Sequence, residues 1–290
     1  MQAINKIILG TVQFGLSYGI NNNAGKPSYE EVTKILDKAY DFGISTLDTA
    51  AAYGDAIDII GKYHSEREHR FAIVNKFHVD NNDFNLESIV QHNLQRLQIK
   101  SYRAYLFHSF SDYLIHKNLI QNLLKLKERG ALERIGVSVY TNEELESLLT
   151  EPGIDLIQLP YNLLDNDSLR GYWLMQAKQK GILLHVRSVF LQGLFFKLID
   201  SFPSILQPLT PHIKKLEAIA KEAGTNIAAL ALQYVLQNTL VDGVLIGVDS
   251  LNQLQNNIDL LQHSIDKNVF SEVNKISVKE KQLLNPVNWI

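Results

Sequence analysis

Eight short apolar runs alternate with longer amphipathic stretches along this chain, and that alternation limits the folds open to it more than any other feature. The runs are residues 7–9, 44–47, 71–74, 102–107, 135–137, 156–159, 182–186 and 243–246. Between them, apolar residues recur at helical spacing. Val32, Ile35, Leu36 and Ala39 share one face, and Ile89, Val90, Leu94 and Leu97 another. Ser28 with Glu31 three residues on reads as a capping box at a helix start. Gly43, Gly130 and Gly181 read as helix stops. Helices are expected over about 28–42, 55–64, 86–97, 119–129, 143–149, 168–179, 213–223, 227–237 and 253–261. Strands that alternate strictly with helices pair in parallel, because a parallel connection needs a crossover. Strand ends near 48, 76, 108, 138, 158 and 187 lie about 20 to 32 residues apart, the length of a β/α unit. Eight such units in roughly 250 residues predict a closed (β/α)8 TIM barrel, an eight-stranded parallel α/β fold, as a single domain over 1–290. An open doubly wound sheet would want a Gly-rich phosphate turn after its first strand, and none follows residues 7–9. Two parts depart from the repeat: an irregular, proline-bearing insertion at about 191–212 and a C-terminal tail at about 263–290.

Composition narrows the partners. The 290 residues are 46% hydrophobic and 20% charged, which suits a large core, and the net charge is −3 with no basic stripe. Nucleic acid is therefore not an expected partner. There is no cysteine, so disulfides, thiolate catalysis and cysteine-ligated metal are excluded. No apolar run approaches the ~20 residues that span a bilayer, and the N-terminal run at 7–9 is too short for a signal peptide. The expectation is a soluble cytoplasmic protein with no membrane partner. Histidines 64, 69, 92, 116, 212 and 263 fall mostly on expected helices or in loops and show no ligand spacing. They are expected to be solvated, and no metal is expected.

In an eight-stranded parallel barrel the functional groups lie at the C-terminal rim of the strands. The second run ends in Asp48, and Tyr53 follows five residues later with Gly54 behind it. Lys76 and His108 close the next two runs. Adjacent strands are about 5 Å apart, so a carboxylate, a phenol, an ammonium and an imidazole are expected to converge. Each residue alone has a plainer structural reading: a turn aspartate, a solvated lysine, a packed rim histidine. Together they suit donating a proton to an oxygen that is becoming negative, as in carbonyl reduction. Lys76 is expected to favour the phenolate of Tyr53 and lower its pKa, while Asp48 holds Lys76 charged.

These segments resemble the aldo-keto reductases. The resemblance is carried by residues 43–54, 72–76 and 106–108, by Leu9-Gly10-Thr11 with Phe14-Gly15, and by residues 135–138 and 155–162, in the family's order from about 6 to 262. It implies a barrel enzyme that reduces an aldehyde or ketone with NAD(P)H, a small-molecule carbonyl compound being its substrate. It implies Tyr53 as general acid, Lys76 and Asp48 as the pair that tunes it, and His108 as the group that orients the carbonyl. For the cofactor it implies contacts from Gly10, Thr11 and Asp48, with Ser138 and Gln158 on the nicotinamide amide. It also implies Ser188, Phe190, Gln192 and Gly193 in a pyrophosphate loop, and Gly247, Asp249, Gln253 and Asn257 at the adenosine end.

The sequence also departs from the family. Val139 stands where an asparagine is usual, and Arg187 stands where an aromatic stacks on the nicotinamide. The basic residues that clamp a 2′-phosphate are missing from 247–257. NADPH is the family's usual cofactor, whereas these residues lean to NADH or to use of both. Asp249 either accepts from ribose hydroxyls or caps the following helix together with Ser250. Phe77, Phe110, Tyr140 and Trp289 are candidates to line the substrate pocket. A second class stays open: a nucleotide-binding regulatory or interaction subunit on the same barrel with little turnover.

Overall fold

A computed structural model describes residues 4–22, 24–79 and 85–289, so the first three residues of the N-terminal segment discussed above lie outside it. Among the described residues, eight parallel strands close into one barrel in sequence order. They are β1 (Ile7–Gly10), β2 (Thr46–Ala50), β3 (Ala72–Phe77), β4 (Ala104–Phe107), β5 (Ile135–Ser138), β6 (Leu156–Pro160), β7 (Leu183–Arg187) and β8 (Gly243–Gly247). β8 returns to pair with β1, Ile7 facing Val244 and Gly10 facing Gly247. Helices Tyr29–Asp41, Ala56–Ser65, Leu86–Arg96, Ile120–Glu128, Asn142–Leu148 and Asp167–Gln179 form the crossovers after β1 to β6. Thr210–Glu222 and Ile227–Leu236 follow β7, and Leu251–Leu260 follows β8. This is a single-domain (β/α)8 barrel.

The strands carry two faces because successive side chains alternate. Val74, Ala104, Leu106 and Leu156 form a small apolar cluster of their own inside the barrel, with Leu183 packed on it. Ile73, Phe77, Tyr105, Phe107, Ile135, Val137 and Ile157 belong instead to the large cluster shared with the helices. Two residues further along, the inward face turns polar: Val74 leads to Lys76, Leu106 to His108, Leu156 to Gln158, and Leu183 to His185 and then Arg187. The apolar layer thus plugs the lower barrel and carries a polar layer above it.

Helix exits explain where strands begin. At Gly43 (φ +89) the backbone is left-handed, its N–H meets Tyr40 O, and the N–H of Ile44 reaches back to Ala39 O. That closes a Schellman turn, so Ile44 and Ser45 finish the helix exit and β2 starts only at Thr46. Strand ends also run further than the apolar pattern indicates. β2 continues through Asp48 to Ala50 and β3 through Lys76 to Phe77, because the ladder is backbone and pairs Thr49 with Asn75 and Ala50 with Lys76. Asp48 therefore lies inside its strand. The start of helix Tyr29–Asp41 is capped on one side only. Ser28 accepts from the N–H of Glu31, but the Glu31 carboxylate turns away to accept from the N–H of Leu251 at 2.7 Å. In the stretch after β7, three 3-10 turns precede Thr210, where the helix begins with Pro211 in its first turn, a position that needs no N–H. His64 corrects the expectation of solvated histidines. It is fully buried, Nδ1 at 2.7 Å from Leu97 O and Nε2 accepting from the N–H of Phe71.

Candidate active site

Asp48 sits at the floor of a groove of about 1280 Å³ that opens at the C-terminal rim. Its carboxylate has two partners. Lys76 Nζ is ion-paired with Oδ1, and Gln158 Nε2 donates to Oδ2 at 2.8 Å. All three side chains are buried. Burial pushes the Lys76 ammonium below its ordinary pKa, and the Asp48 charge opposes that shift. Tyr53 comes from the loop after β2. The Lys76 Nζ lies 5.3 Å from its ring centroid, and His108 meets it edge-on with centroids 5.9 Å apart. Asp48, Tyr53, Lys76 and His108 all line the groove.

Two glycines hold the Tyr53 loop in place. A Cβ on Gly15 would fall 1.8 Å from Tyr53 O, and one on Gly54 would fall 2.6 Å from Gly15 O. Gly54 also has φ +55. The segment after β1 thus lies directly on the turn that carries the phenol. The expectation that Lys76 lowers the Tyr53 pKa is corrected. Burial raises it well above 10, the Asp48 charge adds to that, and Arg187 opposes both. With its ammonium spent on Asp48, Lys76 does not offset the loss of solvent. Tyr53 is therefore a protonated phenol at neutral pH. His108 is pushed down to about 3 by burial, then by Lys76, His78 and Arg187, so it is a neutral imidazole.

The remaining expected residues lie along the same groove. Gly10 and Thr11 stand at the end of β1, Ser138 at the end of β5 and Arg187 at the end of β7. Ser188, Phe190, Gln192 and Gly193 form one wall, and Gly247, Asp249, Gln253 and Asn257 the end beyond β8. Ser250 caps helix Leu251–Leu260, accepting from Gln253 N, while the Asp249 backbone N–H donates to Gln253 Oε1 at 3.1 Å. Of the pocket aromatics, Tyr140 and Trp289 line the groove, but Phe77 and Phe110 do not. Phe77 has the opposite strand parity to Lys76 and stacks on Tyr105 at 4.9 Å. Phe110 packs against Tyr113 on its own short helix.

A sequence profile of the Aldo/keto reductase family matches residues 6–278. The chain belongs to that family. Membership makes it an oxidoreductase. Among its relatives, L-galactose dehydrogenase of Arabidopsis thaliana is 26% identical, over 96% of this chain and 93% of that protein. Aldo-keto reductase YhdN of Bacillus subtilis is 22% identical, over 90% and 86%. Among solved structures, the holo form of aldo-keto reductase AKR11C1 from Bacillus halodurans superposes with a TM-score of 0.74 at 20% identity, covering 93% of this chain and 91% of that one. No helix among the described residues is long and apolar enough to cross a membrane.

Aldo-keto reductases generally use NAD(P)H, and this aldo-keto reductase has features that fit such a dinucleotide. Asp48 only accepts, so the Gln158 amide must turn its NH2 towards it. That leaves Gln158 Oε1 buried with no partner, an acceptor free for a donor group of a ligand. Ser138 stands opposite it in register. Ser188, Leu191, Gln192 and Gly193 all have φ between +46 and +92, and the loop is folded tightly on itself, Leu191 N donating to Ser188 O and Gly193 N to Phe190 O, both at 2.9 Å. That loop is tied to the segment after β1: Gln192 Nε2 donates to Tyr18 OH at 2.6 Å, and Asn21 Nδ2 to Gly193 O at 2.6 Å.

The sequence reading missed His78 and Tyr18 in the groove and His185 in the layer beneath it. His78 lies two residues beyond Lys76 with the same parity, lines the groove, and stacks on His108 at 4.2 Å. Its Nδ1 lies 2.6 Å from Asp112 Oδ2. His185 is inward one step below Arg187, with room made by Gly243, whose missing Cβ would fall 2.6 Å from the ring. Strand parity could have found both histidines. Nothing local marks Tyr18, because its place depends on the loop after β7.

Proposed function

We propose that this aldo-keto reductase interconverts a small aldehyde or ketone with its alcohol, using a nicotinamide dinucleotide. The observation that carries the reading is the buried Asp48–Lys76 pair beneath a protonated Tyr53 and a neutral His108, all open to one groove. The dinucleotide supplies the hydride when bound. Tyr53 then gives its proton to the substrate oxygen, which would otherwise become an alkoxide in a site that excludes water. The Lys76 ammonium beneath the ring stabilises the phenolate left behind, and Asp48 keeps Lys76 in place. His108, being neutral, orients the carbonyl without competing for the proton. In the opposite direction the same phenolate takes the hydroxyl proton. Gln158 Oε1 and Ser138 would hold the carboxamide, and the 188–193 loop the pyrophosphate.

For the cofactor we favour NADH over NADPH. Lys76 and Arg187 are the cations lining the groove among the described residues, and none of residues 247–257 is basic. Asp249 and Asp259 face that end, where they repel a 2′-phosphate and suit ribose hydroxyls. For the substrate, the plant relative is named for a sugar. The polar and aromatic groups Tyr18, His78, Tyr140 and Trp289 suit a hydroxylated carbonyl compound of that kind.

Titration with NADH and NADPH, followed by nicotinamide fluorescence, tests the cofactor. A panel of hydroxylated aldehydes and ketones then tests turnover. We expect NADH to bind the more tightly and to be consumed. Tighter binding of NADPH would refute the role of Asp249. Binding without turnover on the whole panel would reduce the protein to a nucleotide-binding subunit.

A further inference from the structure

Among the described residues, Arg187 is a charge beside Tyr53 that has no ion-pair partner. It is the last residue of β7 and continues the inward face through His185. Its guanidinium lies 4.1 Å from the centroid of Tyr140, and Nη2 donates to Val139 O at 3.2 Å. Among the described residues it has no carboxylate partner. The two buried carboxylates nearby are already matched: Asp48 to Lys76, and Asp165 to Arg170 Nε at 2.6 Å. The Asp48–Lys76 pair sums to zero whichever partner holds the proton, and Tyr53 and His108 are neutral. His78 and Asp112 form their own couple towards the rim. Asp48, Lys76, Tyr53, His108 and Arg187 together therefore carry a net charge of +1. It is felt within the group, since Arg187 acts on the Tyr53 phenol, Lys76 and His108 alike.

We infer that Arg187 sets the redox bias of the bound cofactor: its unpaired charge favours the neutral, reduced nicotinamide over the cationic, oxidised one, and so shifts the equilibrium between the enzyme-bound species towards oxidation of a hydroxyl group. The inference rests on the dinucleotide reading above. Any ring that exchanges a hydride beside Tyr53 lies within the field of Arg187. The ring gains or loses one positive charge in that exchange, whereas the substrate oxygen ends neutral in both directions. In the favoured direction the carbinol carbon loses a hydride to the oxidised nicotinamide, and the hydroxyl proton passes to Tyr53. The products are a carbonyl compound, the reduced dinucleotide and one proton. Arg187 also favours the Tyr53 phenolate, the form that accepts that proton. An aromatic residue at 187 would leave the ring's charge unanswered.

The test is binding, read without turnover. Dissociation constants for NAD+ and NADH are measured on the wild-type protein, Arg187→Lys and Arg187→Met by calorimetry and fluorescence, with thermal melts to confirm folding. The wild type should bind NADH more tightly than NAD+. Arg187→Lys should keep the ratio of the two constants within about threefold, and Arg187→Met should lower it on the order of tenfold. A wild type that binds NAD+ at least as tightly as NADH overturns the inference and needs no variant to do so. A ratio that Arg187→Met leaves unchanged overturns it too, even if both ligands bind more weakly. Absence of binding of either dinucleotide to the wild type would instead remove the functional reading on which it rests.

Discussion

Asp48 takes hydrogen bonds from residues 28 and 110 positions away, and this is the residue-scale core of the site. Removing one member of a buried ion pair strands the other without solvent, at a cost of about 3–5 kcal/mol. Asp48→Asn should therefore lower the melting temperature by roughly 5–15 °C, read by calorimetry. Adding Lys76→Met to it should recover part of the loss, since no buried charge then remains. Tyr53→Phe should behave differently. It removes a proton donor and no packing, so turnover should fall by several orders of magnitude while NADH affinity stays within about threefold. Retained turnover in Tyr53→Phe would exclude the phenol as the acid. Acid should also loosen the fold through His108 and His185, whose pKa values are pushed down to about 3 and about 4. Unfolded, both titrate near 6.5. Between those values the unfolded chain binds protons that the folded chain refuses, so their contribution is complete above pH 6.5 and lost as pH falls. For the enclosed His185 the loss at pH 5 is about 2 kcal/mol. His185→Gln, if it folds, should flatten the stability profile between pH 6.5 and 4 in denaturant titrations.

At the scale of elements, the segment after β1 and the loop after β2 are fitted to each other through Gly15 and Gly54. Gly15→Ala forces a methyl into the Tyr53 carbonyl, so the loop must move. We expect kcat to fall at least tenfold as well as the melting temperature, because a shift of about 1 Å at a proton donor is costly. Gly61→Ala supplies the comparison: its Cβ would fall 1.8 Å from Arg96 O, a helix contact away from the groove. That variant should lose stability and keep kcat per folded molecule. Assays on purified folded protein separate the two. The element boundaries also show how far the chain was legible. Helix stops at Gly43, Gly130 and Gly181 follow from local chemistry, and they lie where expected. Strand limits were less legible, because β2 and β3 persist through Asp48 and Lys76 by backbone pairing that an apolar pattern does not record.

At the scale of the molecule, one groove joins the loop after β1, the loop after β7 and the start of helix Leu251–Leu260. A ligand lying along all three adds its binding energy to a single folded unit. At about a hundredfold excess over its dissociation constant a dinucleotide should stabilise by about 2.7 kcal/mol. A rise of roughly 5–10 °C in the melting temperature with NADH, and a smaller one with NADPH at equal concentration, is the expected readout. Equal shifts would argue against the part assigned to Asp249. The tail belongs to the same surface. Trp289 donates to Leu283 O at 2.8 Å and turns its ring to the groove, although it is 241 residues from Asp48 in sequence.

The barrel, its strand count and the inward order of Asp48, Lys76 and His108 are properties of the sequence alone. They depend on alternation, on glycine stops and on which residue follows the apolar run, all of which are local. Other features depend on distances that close only when β8 meets β1. The orientation of the Gln158 amide is set by a carboxylate 110 residues away. The Tyr53 pKa is raised because burial, a tertiary property, together with the Asp48 charge outweighs the lowering by Arg187. The charge of Arg187 stays unmatched because the carboxylates near it are taken by Lys76 and Arg170. Pattern reveals which groups a chain brings to a rim. Only the packed structure decides which are buried, which are paired, and which charge is left over.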